Sequence, residues 1–213
     1  TDNDIRGLSD TLAKGIRIAL FISIPCMVGM ILVRQPLVRA LFHRGAFTNI
    51  PGADIRVANA MAMYVIALWA YGLNHLVIRA FYSLQDARTP LYTSVANVFL
   101  NVTLNLILVQ TPLKEAGLAL ATSIGATVQL AVMVVLLRRR IGRMGWTRTI
   151  PSVMRTALAS VIMAAAVMAV DHWVTEGMSS AIRLMTMVIV GAGGFLLMVV
   201  VLRCEEFHEL LKR

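Results

Sequence analysis

The side chains that could do chemistry in this chain lie inside long apolar runs. Tyr71, His75 and Arg79 follow one another at four-residue steps, which aligns them on one face of a helix. Ser94, Asn97, Asn101 and Asn105 recur at the same helical spacing in the next apolar run. Ionisable and amide groups in hydrocarbon are costly, so they turn toward a bundle interior or a water-filled cavity. Two readings of the asparagine stripe follow: the wall of a hydrophilic cavity or ion site, or interhelical hydrogen bonds worth about 0.5–2 kcal/mol each. Arg79 also has two: a residue of that cavity, or a side chain at the cytoplasmic end of its span that snorkels to the interface.

The other polar sets are weaker signals. Thr122, Ser123, Thr127 and Gln129 share a span with Gly117, Ala121 and Gly125, whose small-xxx-small spacing points to close helix packing. Gly191, Gly193 and Gly194 read the same way. His172, between Asp171 and Trp173, reads as an interfacial anchor. Cys204 and His208 stand four apart beside Glu205 and Glu206, but two donors without a third make no zinc site. Cys26 and Cys204 fall inside the first span and at the end of the last, where neither suits an exported disulfide. No Gly-rich phosphate loop, HExxH or GxSxG occurs, and no pair of carboxylates shares a span for acid/base work. Transport would therefore draw on an ion gradient, the membrane potential or the supply of substrate.

The elements that position these residues must be transmembrane helices. Of 213 residues, 58% are hydrophobic and only 15% charged, and the mean hydropathy is +0.76; a soluble domain runs near half apolar and a quarter charged. Apolar runs long enough to cross a bilayer, roughly 20 residues each, lie near 16–33, 57–82, 91–110, 115–137, 152–174 and 181–202. The fold class is all-α: a polytopic transmembrane bundle of about six spanning helices, plus a short amphipathic interfacial helix over 36–47. Ser9 or Asp10 is the candidate cap of the first helix, and Pro25 its candidate kink. The last two spans carry almost no polar residues. The basic stretch from Arg138 to Arg148 divides the chain into four helices over 1–145 and a terminal hairpin over 146–213.

Charge sets the orientation. With the N-terminus cytoplasmic, 14 of the 20 Lys and Arg fall on the cytoplasmic side, the positive-inside pattern, led by Arg138, Arg139 and Arg140. Both ends of the chain are then cytoplasmic. The net charge of +9 sits at helix ends, where it anchors headgroups, so nucleic acid is not an expected partner. A polar start that leads straight into a span, without Met or a cleavable signal, is the expectation for a fragment of a longer protein.

Four motifs, in order, carry a resemblance. Leu41-Phe-His-Arg44-Gly45-Ala-Phe47-Thr48 resembles the LFxRGAFT loop of the MviN/MurJ family, the bacterial lipid II flippases. Arg79-Ala-Phe-Tyr82 with Gln85-Asp86-Ala-Arg-Thr-Pro90 is similar to that family's RAFYAxQDTRTP element. Asn97 to Asn105, then Ala116-Gly-Leu-Ala-Leu-Ala-Thr-Ser123, resemble its next two helices. The motifs cover residues 8–140, and the hairpin fits by layout.

The resemblance implies the last six of fourteen helices of a multidrug/oligosaccharidyl-lipid/polysaccharide exporter-type protein in the bacterial inner membrane. It implies alternating access between two lobes, one of them an N-terminal lobe outside this chain, and an undecaprenyl-pyrophosphate-linked peptidoglycan precursor, lipid II, as cargo. The hairpin would line a hydrophobic groove for the lipid tail. Tyr71, His75, Arg79, Asn97 and Asn101 would line the cavity, with Arg79 the local candidate for the pyrophosphate. Asn101, Asn105 and Thr122 would match a sodium site, and no other metal site is implied. Asn105 stands where some relatives have a carboxylate, which makes a weak or vestigial site the expectation. Other readings are a flippase for another undecaprenyl-linked oligosaccharide, a non-transporting scaffold of the cell-wall machinery, and a membrane-embedded enzyme.

Overall fold

The structure, a computed structural model, describes residues 2–42, 45–142, 146–173 and 179–202. Seven α-helices carry them: α1 Asp2–Phe42, α2 Ala53–Val65, α3 Leu68–Ser83, α4 Arg88–Leu108, α5 Glu115–Ile141, α6 Trp146–Trp173 and α7 Ser180–Val201, with a 3-10 turn at Gly45–Asn49. No strand occurs among the described residues. Counted as crossings, α2 and α3 form one, and among the described residues six helices are long and apolar enough to span a membrane.

Two helices organise the bundle. α5 packs against α2, α3 and α4, while α1 packs against α2 and α3 on one side and α6 and α7 on the other. The core lies where α1, α3 and α5 meet, with Leu12, Ile16, Val77, Phe81, Met133 and Leu137 buried in it. The opposite faces carry exposed large apolar residues, including Phe99, Leu106, Val161, Ile189 and Leu197. Hydrocarbon rather than water suits such a surface. α4 is the least enclosed helix: it packs mainly on α5, and Pro90 is its only buried residue.

Three sequence expectations change. α1 begins at Asp2 rather than at Ser9 or Asp10, and it runs on through Pro25 and Pro36 to Phe42. The amphipathic piece therefore exists as the last turns of α1 followed by the 3-10 turn, not as a separate helix; propagating a helix costs far less than nucleating a new one. The second span is broken between Val65 and Leu68, although no Pro or Gly stands there. Finally, α6 is not free of polar groups: Thr149, Ser152, Thr156 and Ser160 are all buried. The hydroxyls of Thr156 and Ser160 donate to Ser152 O at 3.0 Å and Thr156 O at 2.8 Å, so they are satisfied within their own helix.

Ion pairs tie the helix ends. The Arg183 guanidinium donates two parallel bonds to Asp171, at 2.7 and 2.8 Å, closing the α6–α7 hairpin. Beside it Trp173 is exposed and meets His172 edge-on at 5.3 Å. Arg39 holds Asp54 at 2.7 Å across the α1–α2 connection. Cys204 and His208 lie outside the described residues.

Candidate functional site

The tripartite stripe of the second span does not act as one unit. Tyr71 is half-buried against the core, with its hydroxyl beside Ser123 of α5. His75 and Arg79 are exposed on the outer side of α3. Asn74, which the sequence reading passed over, is the residue that joins α3 to α5: its Nδ2 donates to Ala126 O at 3.1 Å in a buried position.

The asparagine stripe faces α5. Asn97 Nδ2 donates to Gln129 Oε1 at 3.1 Å, and Gln129 Nε2 donates to Ser94 Oγ at 3.1 Å. One turn on, Asn105 Nδ2 donates to Asn101 Oδ1 at 2.8 Å. Thr122 turns its hydroxyl to Leu118 O of its own helix at 3.1 Å. The stripe is thus half-buried and bonded within itself or to α5, and it gives α4 a polar seam in place of a buried apolar face. Small residues let the seam close. A Cβ on Gly125 would stand 2.5 Å from Asn97 Oδ1, and one on Gly117 only 2.7 Å from the Leu108 carbonyl oxygen. The close packing expected of Gly117, Ala121 and Gly125 is present, and all three are buried. Of the α7 glycines only Gly191 meets a neighbour, Val167; Gly193 and Gly194 face open space.

As a cation site, Asn101, Asn105 and Thr122 offer neutral oxygens alone. Asn101 Oδ1 already accepts from Asn105, and the Thr122 hydroxyl is engaged. Of these three residues, only Asn105 has a side-chain oxygen buried without a partner. Three or more acidic, histidine or cysteine side chains nowhere gather among the described residues. A hard cation wants oxygen ligands with negative charge, and this donor set does not fit one.

The family loop motifs have structural roles. Arg44 lies outside the described residues. Gly45 opens the 3-10 turn at φ 58°, a conformation that favours glycine, and Phe47 packs on Phe42 with ring centroids 6.2 Å apart. Asp86 is the node of the α3–α4 loop. Its carboxylate accepts from the N–H groups of Arg88 and Thr89 at 3.0 Å and from the Thr89 hydroxyl at 2.6 Å. The same carboxylate pairs with Arg140 of α5 at 2.8 Å. Pro90 follows, buried in the first turn of α4, where a missing N–H costs nothing. The Thr89 hydroxyl, then the Thr89 N–H, hold the Asp86 carboxyl below the usual carboxylate range; burial opposes them, and the Arg140 charge and the Arg88 N–H add smaller pulls in the same direction. A group whose folded pKa is lowered stabilises the fold above its unfolded pKa, and that contribution is lost as pH falls through the folded value. Asp86→Asn is therefore expected to melt below wild type at pH 7, with the gap closing as the pH is brought down through the carboxylate range; a constant gap would sink the assignment.

The third feature is a groove of about 470 Å³ between α1, α6 and α7. Phe21, Pro25, Gly29, Met163, Val188 and Phe195 line it, and the only heteroatom-bearing side chains among the lining residues are the thioethers of its methionines and the thiol of Cys26. Cys26 is free and exposed there.

The model of the family described as lipid II flippase MurJ matches residues 1–193. The chain belongs to the MurJ family. A probable lipid II flippase MurJ of Rhizobium meliloti (strain 1021) is 31% identical over 176 residues, 81% of this chain and 32% of that protein. The corresponding protein of Vibrio cholerae serotype O1 is 29% identical over 206 residues, 92% of this chain and 38% of that protein. A solved structure of a lipid II flippase MurJ in an inward closed conformation covers all of this chain and 41% of its own, with a TM-score of 0.79 at 21% identity; it shares the fold. The chain spans about a third of the length of the curated relatives it matches. It is a multi-pass membrane protein of a flippase family.

Proposed function

We propose that this chain is part of a bacterial inner-membrane flippase for lipid II, in which it rocks against a second lobe supplied by the rest of the polypeptide. The apolar groove between α1, α6 and α7 carries this reading, because a polyprenyl chain can leave the bilayer for it sideways while the headgroup crosses elsewhere. His75 and Arg79 support it. Within a membrane, exposed ionisable groups are stable only against water or a polar partner, so the α3 face that bears them serves as one wall of the headgroup path, with Arg79 toward the pyrophosphate. The ends that hold Asp86, Arg140 and the N-terminus of α1 are cytoplasmic, by the charge distribution. The asparagine seam acts as a joint between α4 and α5.

The test is replacement of the lipid II flippase in a conditional bacterial strain by the full-length gene that carries this chain. Rescue is expected, with loss of rescue in Arg79→Ala at normal expression. Failure of a well-inserted parent would redirect the reading to another undecaprenyl-linked oligosaccharide or to a scaffold.

The cation site is vestigial in this reading, and membrane lipid and potential are sufficient surroundings. A ligand raises the melting point only by binding the folded state. Exchange of choline chloride for sodium chloride is accordingly expected to leave the thermal midpoint of the full-length protein unchanged. A sodium-specific rise that disappears in Asn101→Ala would overturn this.

A further inference from the structure

Arg34 carries a charge that the described fold does not neutralise. It lies about 12 Å short of the end of α1 at Phe42, by the rise of an α-helix. Closer to their helix ends, Arg39 pairs with Asp54 and Arg183 with Asp171. No carboxylate among the described residues pairs with Arg34, and its one hydrogen bond is to a carbonyl of its own helix. Long cations near the end of a span normally extend toward the interface. Arg34 does the opposite: its Nη1 turns back one turn and donates to Ile31 O at 2.6 Å. Its Nε is buried without a partner. A guanidinium kept at this depth on one carbonyl is costly until an anion completes its surroundings.

The turn back sets that charge level with one end of the apolar groove. Ile31 stands between Met30 and Val33 on α1, which both line the groove, and Arg34 follows Val33 directly. Val33, Val167 and Met187 meet there as a buried cluster, and the Asp171–Arg183 pair lies one turn beyond on α6 and α7. Arg34 is not among the lining residues, so the groove stays apolar while the cation flanks its end. Such an arrangement fits an amphiphile, a hydrocarbon tail with an anion at its head. A diphosphate is the best match among lipid anions. Its oxygens accept the guanidinium fork two at a time, and it carries charge on two neighbouring phosphates where a phospholipid diester carries one.

We propose that Arg34 binds the diphosphate of a polyprenyl carrier whose tail lies between α1, α6 and α7. The inference rests on the proposed function and adds a second station for the same headgroup. In that reading the N-terminal end of α1 is cytoplasmic, so Arg34 belongs to the outer half of the membrane. Arg79 meets the diphosphate on the cytoplasmic side, and Arg34 receives it after the crossing, beside the groove that holds its tail.

Cys26 reports the occupant, because it is exposed and lines the groove. The test uses the full-length protein with Cys26 as its sole cysteine, in phosphatidylcholine nanodiscs. Labelling by a lipophilic maleimide is followed as geranylgeranyl diphosphate or geranylgeraniol is added. The diphosphate is expected to protect Cys26 at about tenfold lower concentration than the alcohol, the scale of a hydrogen bond to a charged group. Arg34→Gln keeps an N–H for Ile31 O and should abolish this preference, with protection by the alcohol unchanged. Arg34→Lys keeps the charge without the fork and should retain only part of it. A preference that survives Arg34→Gln, or equal protection by both compounds in wild type, would overturn the proposal. So would protection by phosphatidylglycerol at the same concentration as the diphosphate, which would make the occupant an ordinary membrane lipid. If Arg34→Gln does not fold, Arg34→Lys decides: a reduced preference supports the site and an undiminished one sinks it. Failed rescue of the conditional strain, with the Arg34-dependent preference intact, would remove lipid II as cargo and leave this site standing.

Discussion

Gly117→Ala is expected to destabilise this fold more than any other single methyl group added along α5. The obstacle is backbone: the new Cβ would stand 2.7 Å from the Leu108 carbonyl oxygen and 3.1 Å from both its carbon and the Leu108 Cβ. A side-chain tip can rotate away, but a carbonyl in the last turn of α4 can move only with the helix. α4 has little else to hold it, since it packs mainly on α5 and buries only Pro90. Overpacking of a tight contact typically costs about 1–3 kcal/mol, and here the cost falls on the single interface that keeps α4 in place. The thermal midpoint of the full-length protein in detergent should drop by several degrees, and Gly117→Leu should not accumulate as folded protein.

Gly125 gives the internal control. Its added Cβ would come closer still, 2.5 Å, but to Asn97 Oδ1, the end of a side chain. Rotating that amide away breaks its bond to Gln129, so Gly125→Ala should cost the polar seam rather than the helix contact. The two sites are therefore distinguished by a double mutant. In an Asn97→Ala background Gly125→Ala should lose most of its effect, the signature of groups in direct contact, whereas Gly117→Ala should keep all of its own. Equal behaviour of the two glycines would mean that the α4–α5 distance is not set by these contacts.

These contacts also mark how far the sequence could be read. The six crossings followed from apolar run length alone, and the small residues of α5 from their spacing. The asparagine stripe was visible as a face, but whether it met water or α5 depended on Gln129, which lies on another helix at a separation no local pattern encodes. The same holds for Asp86 and Arg140, paired across 54 positions, and for Asn74, which looked like any polar residue in an apolar run. The break between Val65 and Leu68 was invisible because no Pro or Gly marks it. What failed were boundaries set by local rules: Ser9 and Asp10 are good cap types, yet α1 runs through Gly7 ahead of them to reach Asp2, and Pro36 did not end it. Serine and threonine in α6 were overlooked since they do not disturb hydropathy. The hydroxyls of Thr156 and Ser160 bond back to their own helix, so these two are polar in composition and satisfied without a partner helix.

Filling the groove should abolish transport while leaving the fold intact. Gly29 lines the groove on α1, and a Cβ there would meet only Met163 Cε, at 4.0 Å. Gly29→Phe thus places a ring in open space and exchanges a poor helix former for a better one. Gly193 on α7 has nothing within 4 Å either but is not among the residues that line the groove, which makes Gly193→Phe the control for bulk. The size of the effect rests on what the groove does. A polyprenyl tail gains no hydrophobic free energy on entering it, since bilayer hydrocarbon is just as apolar. In the proposed function the groove would act by shape, keeping the tail alongside the lobe while the headgroup crosses, through many small dispersion contacts. A side chain in that path removes the contacts and the route together. Losing about 1.4 kcal/mol at the crossing step is already tenfold in rate, so Gly29→Phe is expected to reduce flipping in reconstituted vesicles by tenfold or more. Melting points of both variants should remain near wild type. Labelling of Cys26, one turn away and on the same groove wall, by a lipophilic maleimide should fall in parallel in Gly29→Phe and not in Gly193→Phe. Undiminished flipping in a Gly29→Phe protein whose Cys26 is shielded would show that the tail does not travel here, and that the groove is packing space between α1 and the hairpin rather than part of the route.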